Sequence, residues 1–331
     1  MKKLTYLMRR IVQGLLVLAL IAVINFLLIR AAPGDPAAVM AGEAGATDEV
    51  FMAQLRERFG LDKPLPQQLA TYLGHAARLD LGDSYRQQRP VMSLIGERLP
   101  ATLLLTMTAF VVSLTLGVAL GAWTSARAGT WLDSLVSTLS MLFYATPLFW
   151  LALMGVLLFS VKLEWLPGFG FETVGAGHAG LARVADIASH LVLPAATLAL
   201  FYMAVYARMT RTAMLEVAQM DFVKTARAKG LSPRRIQRRH ILRNALLPVI
   251  TLAGIQAGSM VGGTVLIETV FAWPGIGRLM FDALLQRDYQ LLLGIFLVTS
   301  IMVVVFNLLT DVLYRLIDPR IGAGAQQGAA A

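Results

Sequence analysis

Residues 221–248 read DFVKTARAKGLSPRRIQRRHILRNALLP, and this stretch decides how the rest of the chain is understood. Asp221 suits a helix N-cap, Lys229 suits a last turn, and Gly230 can supply the positive φ that ends a helix, so 222–229 reads as one short helix. Ser232 then reads as a second cap with Pro233 at the first helical position, where a missing N–H costs nothing. An arginine-rich turn carries this second helix into an apolar run beginning at Asn244. A short helix, a fixed corner and a basic ramp into an apolar helix have the form of a lever.

The chain around this lever is too apolar for a soluble protein of its size. Of 331 residues 57% are hydrophobic and only 15% charged, with a mean hydropathy of +0.65. Six windows without charges are long enough to cross a bilayer: 11–29, 99–126, 134–161, 187–207, 244–267 and 289–310. An even number of spans places both termini on one side. Between Arg208 and Arg243 stand ten Lys or Arg and two acids, whereas Arg30 to Arg98 holds eight basic and nine acidic residues. The positive-inside rule therefore puts the basic loop, and both termini, in the cytoplasm, and 31–94 outside. Lys2, Lys3, Arg9 and Arg10 ahead of the first span agree. A cleaved signal peptide is the rival reading of that N-terminus; its apolar run is longer than usual, and no clear cleavage site follows, so a retained anchor is preferred. The net charge of +9 is explained by this topology without invoking nucleic acid. With no Cys, no disulfide holds an external loop.

Several local features fit this topology. In the external segment, 48–59 and 65–79 alternate apolar and charged positions at helical spacing and read as amphipathic helices. The segment is either a solvated loop or a platform for another protein. Pro147 predicts a kink near 144–150. Trp165 and Pro167 stand where an interfacial anchor belongs, and His178 and His190 nearby read as loop or interface residues, without the neighbours of a metal site. Thr102, Thr106, Thr108, Ser113 and Thr115 in the second span read as packing residues. Gly254, Gly258 and Gly262 form a small-residue stripe read as a helix contact, with a pore lining as the alternative.

The lever resembles the ATPase-docking loop of ABC importer permeases in the dipeptide, oligopeptide and nickel branch. That form runs D-[FY]-V-x-T-A-R-A-K-G-[LA]-S, then His ten residues after the glycine and an Asn-Ala-Leu-x-Pro exit; Asp221, Thr225, Ala226, Gly230, His240, Asn244 and Pro248 match it. Lys224, Thr225, His240 and Arg243 depart from the broader permease pattern in the way this branch does. PGDPA at 33–37, GLDKPLPQQL at 60–69, ETVFAWPGIGRL from 268 and Asp318-Pro319-Arg320 also resemble the branch.

The resemblance implies an all-α integral membrane protein with six spans and the fold of a type I ABC importer transmembrane domain. The expected parts are an N-terminal transmembrane helix at 1–30, an external loop at 31–94, the transporter domain at 95–314 and a cytoplasmic tail at 315–331. It implies a bacterial inner-membrane permease subunit paired with a homologous permease, two ABC ATPase subunits and an extracytoplasmic substrate-binding protein. ATP and Mg belong on the ATPases, and no cofactor or metal on this chain. Asp221, Phe222, Thr225, Ala226, Lys229, Gly230 and Leu231 become the ATPase-coupling loop, with Phe222, Ala226 and Lys229 on the contacting face. Peptides are the expected cargo, with a nickel complex or glutathione as alternatives. An ion-coupled secondary transporter is disfavoured because the spans carry no central charge. No phosphate-binding G-x-x-x-x-G-K-[ST], H-E-x-x-H or G-x-S-x-G motif occurs, so no enzyme is expected.

Overall fold

The spans named by composition form as helices because an apolar backbone segment in a bilayer has no other way to satisfy its N–H and C=O groups. The computed structural model describes residues 2–31 and 62–317. In chain order the helices are α1 (Lys2–Ala31), α2 (Leu65–Ala77), α3 (Val91–Ser125), α4 (Trp131–Ala145), α5 (Leu148–Gly155), α6 (Gly180–Ala218), α7 (Asp221–Ala228), α8 (Arg243–Val270), α9 (Ile276–Leu285) and α10 (Tyr289–Ile317). A wider-wound segment, Val156–Lys162, continues α5, and Pro233–Arg235 followed by a similar segment, Ile236–Leu242, leads into α8. The expected amphipathic helix at 48–59 and the Asp318-Pro319-Arg320 run lie outside the described residues.

Among the described residues five helices are long and apolar enough to cross a membrane, and a sixth span is counted if α4 and α5 are taken together. Those two meet at 104°. The kink expected at Pro147 is thus a break: Pro147 has no N–H to donate and disfavours helical backbone at Thr146, which is extended at ψ 133°. Thr130 caps α4 through the Asp133 N–H at 3.4 Å.

The chain packs as two units, Met1–Ala101 with Gly275–Val304, and Thr102–Pro274 with Val305–Ala331. In the first, Leu81, Val91, Ile95, Ile276, Leu291 and Ile295 belong to one apolar core. Phe26 of α1 stacks on Tyr72 of α2 at 5.6 Å between centroids. The end of the long segment between α1 and α3 is clamped onto the α9–α10 corner. Ser84 Oγ donates to Asp288 Oδ2 at 2.5 Å, Arg86 gives two N–H groups to the Gln286 carbonyl at 2.9 and 2.8 Å, and Gln290 Nε2 donates to the Leu81 carbonyl at 2.7 Å. Asp288 is buried and caps α10 through the Leu291 N–H at 3.1 Å. Burial, and then the Asp288 carboxylate, push the Tyr85 phenol up to about 12, so it stays neutral. Residues 81–90 are therefore a fixed surface rather than a loose loop.

In the second unit α8 packs along α6, and α4 packs along α6 as well. Gly117 and Gly121 let α3 approach the α6 backbone: a Cβ on Gly121 would lie 2.4 Å from the Ala207 carbonyl oxygen and 3.0 Å from the Arg211 nitrogen. A Cβ on Gly117 would sit 2.6 Å from Tyr206 Cβ and 2.9 Å from the Met203 carbonyl oxygen. The loop between α5 and α6 is stapled by Asp186, which accepts from both the N–H and hydroxyl of Thr173 at 2.7 Å. Buried His190 lies on Asp186 one turn away, with its Nδ1 2.9 Å from the Asp186 carbonyl, and Trp165 stands 68% exposed at the loop's edge.

Candidate functional site

The lever folds as a short helix with a closed corner. The end of α7 follows from Gly230, whose φ of +72° lets the chain reverse. The Leu231 N–H reaches back to the Ala226 carbonyl at 3.3 Å and the Gly230 N–H to the Arg227 carbonyl at 2.9 Å, which together satisfy carbonyls that a helix end leaves open. Ser232 takes the cap position before Pro233, as its sequence predicts, although its side chain makes no capping bond. Asp221 differs from the expectation: Met220 occupies the N-cap position, and Asp221 is the first helical residue. Its carboxylate receives Lys224 Nζ at 2.8 Å, an exposed pair that contributes little beyond favouring the helix N-terminus.

Two residues lock α7 to the bundle. Val223 is fully buried and Ala226 is 5% exposed, and they share a core with Ala213, Met214 and Val217 of α6 and with Ile236 and Ile241 ahead of α8. Burying Val223 alone contributes about 1.5–3 kcal/mol. Leu231, just past the corner, packs against the same core. Gln237 Nε2 ties the lead-in to α8 onto the Ala122 carbonyl of α3 at 3.2 Å. Helix α7 is therefore packed against both α6 and the lead-in to α8.

The outward face is narrower than the sequence spacing suggests. Asp221, Phe222, Lys224, Thr225, Arg227 and Lys229 are exposed, whereas Ala226 points into its own chain. The expected contacting trio of Phe222, Ala226 and Lys229 is corrected accordingly: Ala226 holds the helix, and Phe222, 40% exposed, with Thr225 and Lys229 forms the free surface. A four-residue spacing puts the two side chains near one another, and the edge of the packed side, which holds Val223 and Ala226, falls between them, leaving Phe222 outward.

The glycine stripe also divides. A Cβ on Gly254 would lie 1.7 Å from Thr310 Cγ2 of α10, so Gly254 is a close contact of α8 with α10. Gly258 is buried. Gly262 is exposed, with nothing within 4 Å of where its Cβ would stand, so it makes no such contact with a described residue.

Other residues at the site carry no signal in the sequence. Asp133, 5% exposed, receives Arg211 in a two-pronged ion pair at 2.6 and 2.7 Å and also the Gly129 N–H at 3.0 Å. This pair joins the start of α4 to α6 ten residues ahead of α7. Nothing local in the sequence connects positions 133 and 211; the Gly-x-x-x-Gly at 117–121, in contrast, was a readable signal for close helix approach. Glu268, just beyond the charge-free window, is fully buried inside α8 and accepts from Thr102 Oγ1 of α3 at 2.7 Å.

Known proteins are similar to this chain in sequence and in fold. The family described as binding-protein-dependent transport system inner membrane component matches residues 113–323, and its N-terminal companion family matches 3–106. A probable peptide ABC transporter permease protein of Sinorhizobium fredii is 40% identical over 316 residues, covering 96% of this chain and 98% of that one. The di/tripeptide transport system permease protein DppB of Pseudomonas aeruginosa is 40% identical over 317 residues, covering 91% and 94%. Among solved structures, the methionine ABC transporter MetNI in an inward-facing conformation has a chain that aligns with a TM-score of 0.56 at 19% identity, over 69% of this chain and 97% of that one. This likeness fixes the fold as that of a type I ABC importer transmembrane domain. By its matched length and its relatives, the chain belongs to the family of binding-protein-dependent transport system inner membrane components, as an ABC importer permease.

Proposed function

We propose that the chain is the permease subunit of a peptide importer and that α7 is its contact with an ATPase subunit. The observation that carries this reading is the two-sided character of α7: Val223 and Ala226 are fastened into the bundle while Phe222, Thr225 and Lys229 stand free beside a fixed corner. An exposed aromatic on a rigid eight-residue helix suits insertion into a groove of a partner, where such anchors contribute most of the binding energy. ATP and Mg bind the ATPase subunits, of which there are two, and a homologous second permease completes the path. Hydrolysis thus belongs to those subunits and not to this chain. When the ATPases close, α7 is carried along and tilts α6 and α8, alternating access to a path between the two permeases.

Peptide cargo is supported by the names of the relatives, which are peptide and di/tripeptide permeases at 40% identity. The orientation with α7 and both termini in the cytoplasm is supported by the basic loop. The clamped segment at 81–90 then faces outward and suits the landing of an extracytoplasmic binding protein. Arg234, Arg235, Arg238 and Arg239 are exposed along the ramp and suit anionic headgroups of the inner leaflet.

The test is ATP-driven uptake of a labelled dipeptide by the complete transporter in proteoliposomes with its binding protein. Phe222→Ala and Gly230→Val should each lower uptake by about tenfold or more while the permease accumulates normally; a β-branched residue at positive φ costs roughly 1–3 kcal/mol and misaims the helix after the corner. Unchanged uptake in both variants removes the docking role. Ala226→Asp is unsuitable for this purpose, since it buries a charge in the bundle and perturbs folding.

A further inference from the structure

A cavity of about 330 Å³ lies between α4 and α6 in the second unit. That is the lower end of the size range of small-molecule sites. Its two cations are not alike. Arg211 is committed to Asp133. Arg208 lies 5.7 Å over the Tyr144 ring and has no acidic partner among the described residues. The hydroxyls of Ser137, Ser140, Tyr144 and Thr212 also line the space, and none makes a hydrogen bond with a described residue. Thr124, also on the lining, folds back onto the Leu120 carbonyl of its own helix at 2.9 Å, as Thr115, Thr197 and Thr299 do onto carbonyls of theirs elsewhere in the apolar helices. Arg208, Ser137, Tyr144 and Thr212 are exposed, so the space is an open groove, and an unneutralised guanidinium sharing it with uncommitted hydroxyls is a donor set for an oxyanion.

The cavity adjoins the break between α4 and α5. Tyr144 is one of its walls, and Thr146 and Pro147 come directly after, midway through the apolar run at 134–161. Non-helical backbone at that depth is tolerated against protein or water, not against hydrocarbon. The surroundings therefore favour a hydrated ligand over a lipid tail. The oxyanion that every linear peptide with a free C-terminus carries, whatever its sequence, is its C-terminal carboxylate. On this basis we infer that the cavity is a cargo subsite in which Arg208, assisted by Ser137, Ser140, Tyr144 and Thr212, takes the C-terminal carboxylate of a peptide on its way through the permease. The inference rests on the peptide-import reading and deepens it: a handle on the terminus alone admits many sequences.

The test is equilibrium dialysis of radiolabelled trialanine and of its C-terminal amide against the assembled transporter in nanodiscs, without the external binding protein. The wild type should hold the free acid about tenfold more tightly than the amide, as a charge-assisted hydrogen-bonded pair implies. Arg208→Gln should erase that difference and Arg208→Lys should keep part of it. Ser137→Ala combined with Ser140→Ala should narrow the difference about threefold, and this pair tests the site even if Arg208→Gln fails to assemble. An acid-to-amide preference that survives Arg208→Gln overturns the subsite, as does a wild type that holds the two equally or holds neither. Loss of a co-purifying anionic phospholipid in Arg208→Gln, with peptide preference unchanged, also overturns it and makes the cavity a lipid site. Failure of peptide import itself is read separately, by uptake with the binding protein present: a wild type that imports trialanine but does not retain it in dialysis loses the subsite and keeps the peptide reading.

Discussion

Gly121→Val should destabilise the permease by about 3 kcal/mol, the upper end of what overpacking costs. The reason lies in the atoms that the new side chain would meet. An added Cβ stands 2.4 Å from the Ala207 carbonyl oxygen, 2.6 Å from Thr210 Cβ and 3.0 Å from the Arg211 nitrogen. Two of these are backbone atoms of α6, which cannot rotate aside as a side chain could, so α3 and α6 must separate. Separation also strains the Asp133–Arg211 pair, because Arg211 lies on the displaced stretch. Thermal unfolding of the purified permease in detergent should show the loss, and Gly121→Ala should show a smaller one. A melting temperature for Gly121→Val equal to that of the wild type would contradict the close approach of α3 and α6.

The second large effect concerns that ion pair. Asp133→Ala strands the Arg211 guanidinium, whose side chain is 30% exposed, and removes the acceptor for the Gly129 N–H. Breaking one side of a buried pair costs about 3–5 kcal/mol, and partial exposure of Arg211 puts this case at the low end, about 3 kcal/mol. Removing both charges should be much milder. Asp133→Leu combined with Arg211→Met should recover most of the stability, since neither charge is then left without its partner. If the double variant is as unstable as Asp133→Ala, the pair does not explain the loss. Arg211 stands ten residues ahead of α7, so the pair also holds the part of α6 that α7 would move. Asp133→Ala should accordingly weaken coupling in the fraction that does fold.

The sequence was most informative where the physics is local. Gly230 at positive φ, Ser232 and Pro233 at a helix start, and the end of α7 all depend on residues within a few positions of one another. The apolar windows were legible for the same reason, since a span is a matter of length and composition. The limits fell where a residue's meaning depends on what lies opposite. Ala226 shares a helix with Phe222, and only the position of Met214, Ile236 and Ile241 decides which of the two turns inward. Gly254 and Gly262 look alike along the chain, yet one meets Thr310 and the other open space. Pro147 announced a distortion, but its size of 104° depends on how α4 and α5 each find packing partners. Asp133 and Arg211 are separated by 78 positions, and no spacing rule links them.

The coupling role proposed for α7 requires that its outward face touch an ATPase subunit. Because the chain has no cysteine, single cysteines report without background from the permease itself, and partner subunits stripped of cysteine complete the assay. Thr225→Cys, in the assembled transporter and treated with a short photoactivatable thiol reagent, should yield a covalent permease–ATPase adduct, while Gly175→Cys in the loop between α5 and α6 should yield none and should instead react with an impermeant thiol reagent from outside the cell. An adduct from Gly175→Cys, or no adduct from Thr225→Cys in a transporter that hydrolyses ATP and imports peptide normally, would contradict this arrangement.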